Sequence, residues 1–315
     1  MSNPRLITKL KIPRLRMDRV QRPHLVARLQ ESLDNKLILV SAPAGYGKTS
    51  FVAEFLATYD EPVAWVTLDK GDNDPRVFWS YLAGALQSAL FSIAQSLPES
   101  LLQPSLSLTT ENLIYLINEL DHVDHPILLV LDDYHQIDSQ VIHSGLTFLI
   151  DHAPGCLHLI IITRADPPLP LARYRGGSHL AEFRLADLRF SESEVLDFMG
   201  SVMNLALSES DLSVLEESTE GWIAGLQMAA LSLQGKQNPS EFISVFSGED
   251  RYVMDFLFEE VFNQQPEEIQ RFLLQTSILE RLNASLCNRV VQQENSQAIM
   301  DYLERNNLFL ILYDE

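Results

Sequence analysis

At 315 residues, 46% apolar and 21% charged, the chain has the makeup of a globular protein of two or three domains. Its net charge of −20 argues against a folded body that grips nucleic-acid phosphate, which Lys and Arg must neutralise. Its apolar runs are strand-sized, far below the roughly 18 residues of a membrane span. Two widely separated cysteines, Cys156 and Cys287, exclude a disulfide framework and a cysteine zinc site.

The first element in chain order is a basic arm, residues 1–30, which holds eight of the 23 Lys and Arg residues and one acid, Asp18. It reads as a solvated strap across an acidic domain or as a segment lying along a ligand site. The stretch carries no apolar h-region of a signal peptide, so the expected location is cytoplasmic.

Five strands follow: "KLILVS" (36–41), "PVAWVTL" (62–68), "PILLVLD" (126–132), "LHLIIIT" (157–163) and "HLAEFRL" (179–185). Several are apolar on both faces, as strands of a buried parallel sheet are. Helical periodicity fills the gaps at 48–58, 75–92, 109–121 and 139–151. The alternation predicts an α/β layered domain over 31–188.

Beyond Leu185 the strand signals cease. Ser191 and Glu194 form an S-x-x-E capping box, Ser208 caps a second helix, and "GWIAGLQMAALSL" (221–233) is apolar nearly all round. These helices make an all-α lid over 189–236, bounded by the linker "GKQNPS" (235–240). Further helices are predicted at about 250–262, 266–276, 284–292 and 296–305, with Pro266 at a first helical position. The final run "LFLILY" (308–313) reads as a strand with nothing later to pair with, which suggests a piece of a longer protein.

The chemistry concentrates behind the first strand. "APAGYGKT" (42–49) fits G-x-x-x-x-G-K-[ST] except that Ala42 takes the place of the first glycine. Gly45 and Gly47 let successive N–H groups turn toward one centre, and the following helix adds its positive end. Lys48 would reach β- and γ-phosphates and the Thr49 hydroxyl a magnesium ion. The expected nucleotide contacts are therefore Ala44, Gly45, Tyr46, Gly47, Lys48, Thr49 and Ser50. The bland alternative is a ligand-free strand-to-helix turn.

"ILLVLDDYH" (127–135) supplies the second anion such a loop needs. Asp132, at a strand end, can hold Mg²⁺ with Thr49, and Asp133 can orient an attacking water. An acidic turn with no ligand is the alternative. Asp133 is shorter than a glutamate, so hydrolysis is expected to be slow. Arg164, after the strand in "IIITRADPP" (160–168), could touch a γ-phosphate or be an ordinary surface arginine. A further strand is expected between the loop strand and the Asp132 strand. His135 and His143 read as structural, without a metal-type ligand pair.

Taken in order, "RPHLVARL" (22–29), "SAPAGYGKTS", "LDKGDNDPRVFWSYLAGAL" (68–86), "LVLDDYH", "ITRADPPLPLARYR" (162–175), "LRFSESE" (188–194), "GWIAGLQMAALSL" and "FLLQTSILERL" (272–282) resemble the nucleotide-binding region of the MalT-type, large ATP-dependent LuxR-family transcriptional regulators, members of the STAND class of signalling ATPases. The resemblance implies a nucleotide-binding domain, a helical lid and a winged-helix-like domain, here 237–315 and ending inside that domain. It adds Arg22 and Pro23 to the nucleotide contacts and implies an ATP/ADP switch. Self-association would follow ATP binding, a small-molecule or protein inducer would act through absent domains, and DNA would be bound only by an absent C-terminal helix-turn-helix. "GLQ" (225–227) departs from a "GLP"-like motif, which puts an adenine contact at Gln227 in doubt. Trp222 reads as a core residue or as shaping the lid interface. Asp69, Asp72 and Asp74 border the nucleotide or cap a helix. A stand-alone P-loop ATPase or a small-molecule kinase is the alternative function, and the absence of Lys and Arg over 191–233 weighs against the kinase.

Overall fold

The computed structural model describes residues 5–15, 18–90, 110–234, 238–243, 251–279, 281–306 and 308. The chain forms two compact units. One comprises Met1–Arg16, Gln21–Ala42 and Lys48–Asp187; the other comprises Met17–Val20, Pro43–Gly47 and Leu188–Glu315.

The first unit is built on five parallel strands, β1 (Leu37–Ser41), β2 (Val63–Thr67), β3 (Ile127–Asp132), β4 (Leu157–Thr163) and β5 (Leu180–Phe183), in the order β2-β3-β4-β1-β5. β1 and β3 are buried at every position, as their unbroken apolar runs require. A strand does stand between the loop strand β1 and the Asp132 strand β3, and it is β4; the intervening "PVAWVTL" of the sequence forms β2 at the sheet edge. β4 pairs with β1 from Leu37–Leu159 to Ser41–Thr163 and with β3 from Ile127–Leu157 to Leu131–Ile161. The strand ends that carry Ser41, Thr163 and Asp132 therefore share one edge, where open α/β sheets bind ligands.

Six helices of at least six residues belong to this unit among the described residues: α1 (Pro23–Glu31), α2 (Lys48–Leu56), α3 (Pro75–Ala89), α4 (Thr110–Asp121), α5 (Gln140–His152) and α6 (Leu171–Gly176). Trp79, Leu82 and Leu86 of α3, Leu116 of α4 and Leu146 of α5 pack with the strands in one core.

The arm divides into a stretch that lies over acidic groups, in keeping with the strap reading, and a helix. Residues 23–31 form α1, started by Pro23 at its first turn and buried through Leu25 and Leu29. The 3₁₀ turn Ile7–Leu10 is tied down where Lys9 Nζ sits 2.8 Å from Asp69 and 2.5 Å from Asp72. Of the three acids Asp69, Asp72 and Asp74, the first two form a capping box on a 3₁₀ turn and the third caps α3.

The second unit is helical among its described residues. α7 (Leu185–Leu188) leads into it, and α8 (Glu192–Asp197), α9 (Glu209–Thr219) and α10 (Ile223–Leu233) follow. The capping box expected of Ser191 with Glu194 is formed, and Ser208, expected as a cap, makes a box as well, with Asp211. Val195, Met199, Leu215, Leu226 and Ala229 make one core. α11 (Pro239–Ile243) and α12 (Arg251–Glu260) lead to α13 (Glu267–Thr276), α14 (Ala284–Val291) and α15 (Ser296–Arg305). A separate core joins Ile269 and Phe272 of α13 to Cys287 of α14 and Leu303 of α15. Pro266 stands one residue before the helix it was expected to begin, as its N-cap. The strand expected at 308–313 lies, apart from Leu308, outside the described residues, as do residues 235–237 of the linker. Among the described residues no helix is long and apolar enough to cross a membrane.

Candidate functional site

At the C-terminal edge of the sheet, β1 ends at Ser41 and the chain enters the loop Ala42–Gly47 before α2 begins at Lys48. Gly45 (φ +83°) and Gly47 (φ +70°) both occupy the left-handed region, which a side chain resists and glycine adopts freely. Ala42 has no such backbone requirement and is fully buried, its N–H donating to the Thr163 carbonyl at 3.4 Å. The departure from the glycine pattern is therefore harmless to the loop's shape.

In the first unit, two strand ends, those of β3 and β4, deliver charged groups to the start of α2. The Thr49 hydroxyl donates to Asp132 Oδ1 at 3.0 Å, and the Asp133 N–H donates to the same oxygen at 3.0 Å. Burial, helped by the Asp133 charge, pushes the Asp132 carboxyl up to about 7. Burial and then the Arg164 charge pull the Lys48 ammonium down to about 8, while Asp133 and Asp132 act in the opposite direction. Each shift records a charge held away from water, which a counter-charge brought to the site would relieve. A hydroxyl and a carboxylate together offer the all-oxygen donors that suit Mg²⁺. Among the described residues there is no cluster of three or more His, Cys, Asp and Glu that could hold a metal ion.

Asp133 is in the left-handed conformation (φ 56°, ψ 38°), which turns the chain away from β3 and leaves the side chain substantially exposed. Such a conformation in a non-glycine residue marks a local constraint. His135 lies 3.8 Å from Asp133, and burial, Arg164 and Lys48 drive its imidazole down to about 3, so it is neutral there. His143 is placed away from any ligand role, its Nδ1 bonded to the buried Tyr134 hydroxyl at 2.8 Å.

The expected residues thus fall into groups. Lys48, Thr49, Asp132, Asp133 and Arg164 are brought together, by contact or by charge. Ser50 follows on the first turn of α2. Arg22 and Pro23 lie at the entry to α1, where Arg22 is buried, its guanidinium donating to the Asp187 carbonyl and its N–H to Glu54.

The second unit contains the loop Pro43–Gly47 itself, and here the fold holds what the motif did not announce. The Trp222 indole N–H donates to the Ala44 carbonyl at 2.9 Å, and the Ala224 N–H donates to the Gly45 carbonyl at 3.0 Å. Trp222 is the N-cap of α10, so a first-turn N–H of that helix finds its acceptor in the loop. Tyr46 belongs to the same neighbourhood: burial and then Glu220 raise its phenol, with Arg189 opposing. The signal available in sequence was "GWIAG", in which Ala224 and Gly225 are small enough to leave room for the loop and the indole.

An AAA ATPase domain family model matches residues 20–162, and a MalT winged helix domain model matches 258–315. The HTH-type transcriptional regulator MalT of Yersinia enterocolitica is 32% identical over 313 residues, covering 98% of this chain and 34% of that protein. MalT of Yersinia pestis shows the same identity and coverage. The chain thus spans about a third of the length of these relatives. Among solved structures, a Walker-type ATPase of Pyrococcus abyssi superposes with a TM-score of 0.62 at 17% identity, over 98% of this chain and 95% of that one. A STAND protein with a tetratricopeptide-repeat sensor from Pyrococcus horikoshii gives 0.54 at 15% identity, over 94% and 40%. At these identities the two structures speak for the fold alone. By sequence, the chain joins a region similar to the AAA ATPase domain to one similar to the MalT winged helix domain, and resembles MalT over about a third of that protein's length.

Proposed function

We propose that the chain is an ATP/ADP-binding switch module of a MalT-like transcriptional regulator, with slow ATP hydrolysis setting the lifetime of the active state. The observation that carries this reading is the meeting of Thr49 with Asp132, beside a buried Lys48 that directly follows the glycine loop in the chain. Main-chain amides of residues 44–50 and the Lys48 ammonium would hold the phosphate tail. Thr49 and Asp132 would hold Mg²⁺, which when bound neutralises phosphate charge. Asp133 would accept a hydrogen bond from water and orient it, and Arg164 would distinguish a γ-phosphate from its absence. Arg22 and Pro23 would contact the nucleotide at its other end.

A switch draws its energy from unequal contacts to the ligand in its two states. One phosphate more or less at this loop alters the contacts available to Lys48, Asp132 and Arg164. In the whole regulator, ATP binding would favour self-association, an inducer would act through other domains, and DNA would be bound by a helix-turn-helix outside this sequence. Phosphoryl transfer to a small acceptor has less support, because residues 191–233 contain no Lys or Arg to clamp a transferring phosphate.

The test is the nucleotide that copurifies with the chain, together with steady-state turnover. Retained ADP and a turnover well below the usual enzyme range of about 1 s⁻¹ and upward support the switch. Rapid turnover, or purification free of nucleotide with no binding on titration, overturns it.

A further inference from the structure

We propose that Trp222 is a positioning residue for the phosphate loop, holding the carbonyls of Ala44 and Gly45 outward so that the loop's N–H groups are left for an anion. The inference rests on the nucleotide-binding reading and adds a residue about 180 positions away from the loop in sequence, which no loop motif contains.

The argument begins with the peptide unit. Each carries its N–H and C=O on opposite sides, so a loop that turns successive N–H groups toward one centre turns its carbonyls the other way. Those carbonyls need donors of their own when water is excluded. Ala44 and Gly45 receive them from one place: the indole N–H of Trp222 at 2.9 Å and the N–H of Ala224 at 3.0 Å. Both donors belong to the start of α10, so the loop's outward face and the helix are joined at two consecutive peptides.

Packing makes the arrangement specific. A Cβ at Gly45 would lie 2.6 Å from both Trp222 Nε1 and Ala224 Cβ, and one at Gly47 would lie 3.1 Å from Ile223 Cδ1. Glycine at 45 is thus required twice, by its positive φ and by the approach of the indole. The indole is confined from its other sides as well. A Cβ at Gly225 would fall 2.5 Å from Trp222 Cε3, and the Phe256 ring of α12 meets the indole edge-on with centroids 5.6 Å apart. Trp222 therefore has one position available, and in that position its N–H addresses Ala44.

Two variants of the full chain separate positioning from mere packing. Trp222→Phe keeps a large ring and removes the donor. Gly225→Ala favours helix by intrinsic propensity but pushes the indole from its place. The measurements are amide hydrogen exchange at residues 44–48 without nucleotide, and titration with ADP. The proposal expects faster exchange at these amides in both variants, and ADP binding weakened roughly five- to tenfold, the worth of one hydrogen bond. Trp222→Phe is expected to do so at an unchanged melting temperature, whereas Gly225→Ala, whose Cβ must displace a confined indole, lowers the melting temperature as well. Unchanged exchange and affinity in both variants, or a loss of affinity in Trp222→Phe that only follows a loss of overall stability, overturns it. If the wild-type chain binds no nucleotide, the functional reading fails by itself, and the exchange measurement still decides whether Trp222 shapes the loop.

Discussion

The two units differ in how their parts find one another. In the sheet unit, β1 and β3 are buried at every position, and neighbouring strands are in register over four or five residues. Each strand announces itself by a short apolar run, and parallel pairing aligns their ends. The helical unit has two separate small cores and caps that bond within three residues. Its consequential contact, Trp222 with Ala44, spans 178 residues. Chemistry that depends on strand ends can be read locally, whereas chemistry that depends on one helix meeting a distant loop cannot.

The comparison can be broken at either unit, and the largest effect is expected at the sheet edge. Lys48→Ala removes the buried ammonium and should weaken ADP and ATP binding by about 100-fold or more, leaving the circular dichroism of the sheet intact. A variant that binds normally would remove Lys48 from the site, and one that unfolds would make it a structural residue.

Asp132→Asn is next. The folded carboxyl is raised to about 7, above its unfolded value near 3.9, so its contribution to stability is complete below about pH 4 and lost as pH rises through 7. In the nucleotide-free chain the variant should therefore be more stable than wild type at pH 8, by roughly 4 kcal/mol for a rise from near 3.9 to about 7, and no more stable at pH 4. Melting curves at the two pH values check the sign. The same variant should lose the Mg²⁺-dependent part of its ATP affinity.

Asp133→Asn should retain ATP affinity within about twofold and lower turnover at least tenfold, so that ATP accumulates on the protein. Equal turnover would take that carboxylate out of the reaction. The smallest effect belongs to the helical unit. Ser191→Ala removes a cap and should cost about 1 kcal/mol, lowering the melting temperature by a few degrees while nucleotide affinity is unchanged.

Much of the fold was legible because its signals are local. All five strands lie within one or two residues of their apolar runs, and the expected caps at Ser191 and Ser208 are formed. What escaped was non-local or masked by charge. α1 hid inside a basic arm because only Leu25 and Leu29 of its nine residues are buried. β4, rather than β2, separates β1 from β3, since strand order is decided by helix crossovers and not by sequence order. The loop residues from Ala44 to Ser50, with Asp132 and Asp133, were visible as motifs. The Asp132–Thr49 bond needed the fold, and the partner of Ala44 could not be inferred from the loop at all.

The central claim is that Lys48 and the loop before it hold a nucleotide's phosphate tail. Calorimetric titration of the full chain and of Lys48→Ala with ADP and with ATP, each with and without Mg²⁺, tests it directly. The account predicts saturable one-to-one binding in wild type, tightened for ATP by Mg²⁺, and its loss in Lys48→Ala. Binding that is absent from wild type, or that survives unchanged in the variant, contradicts it.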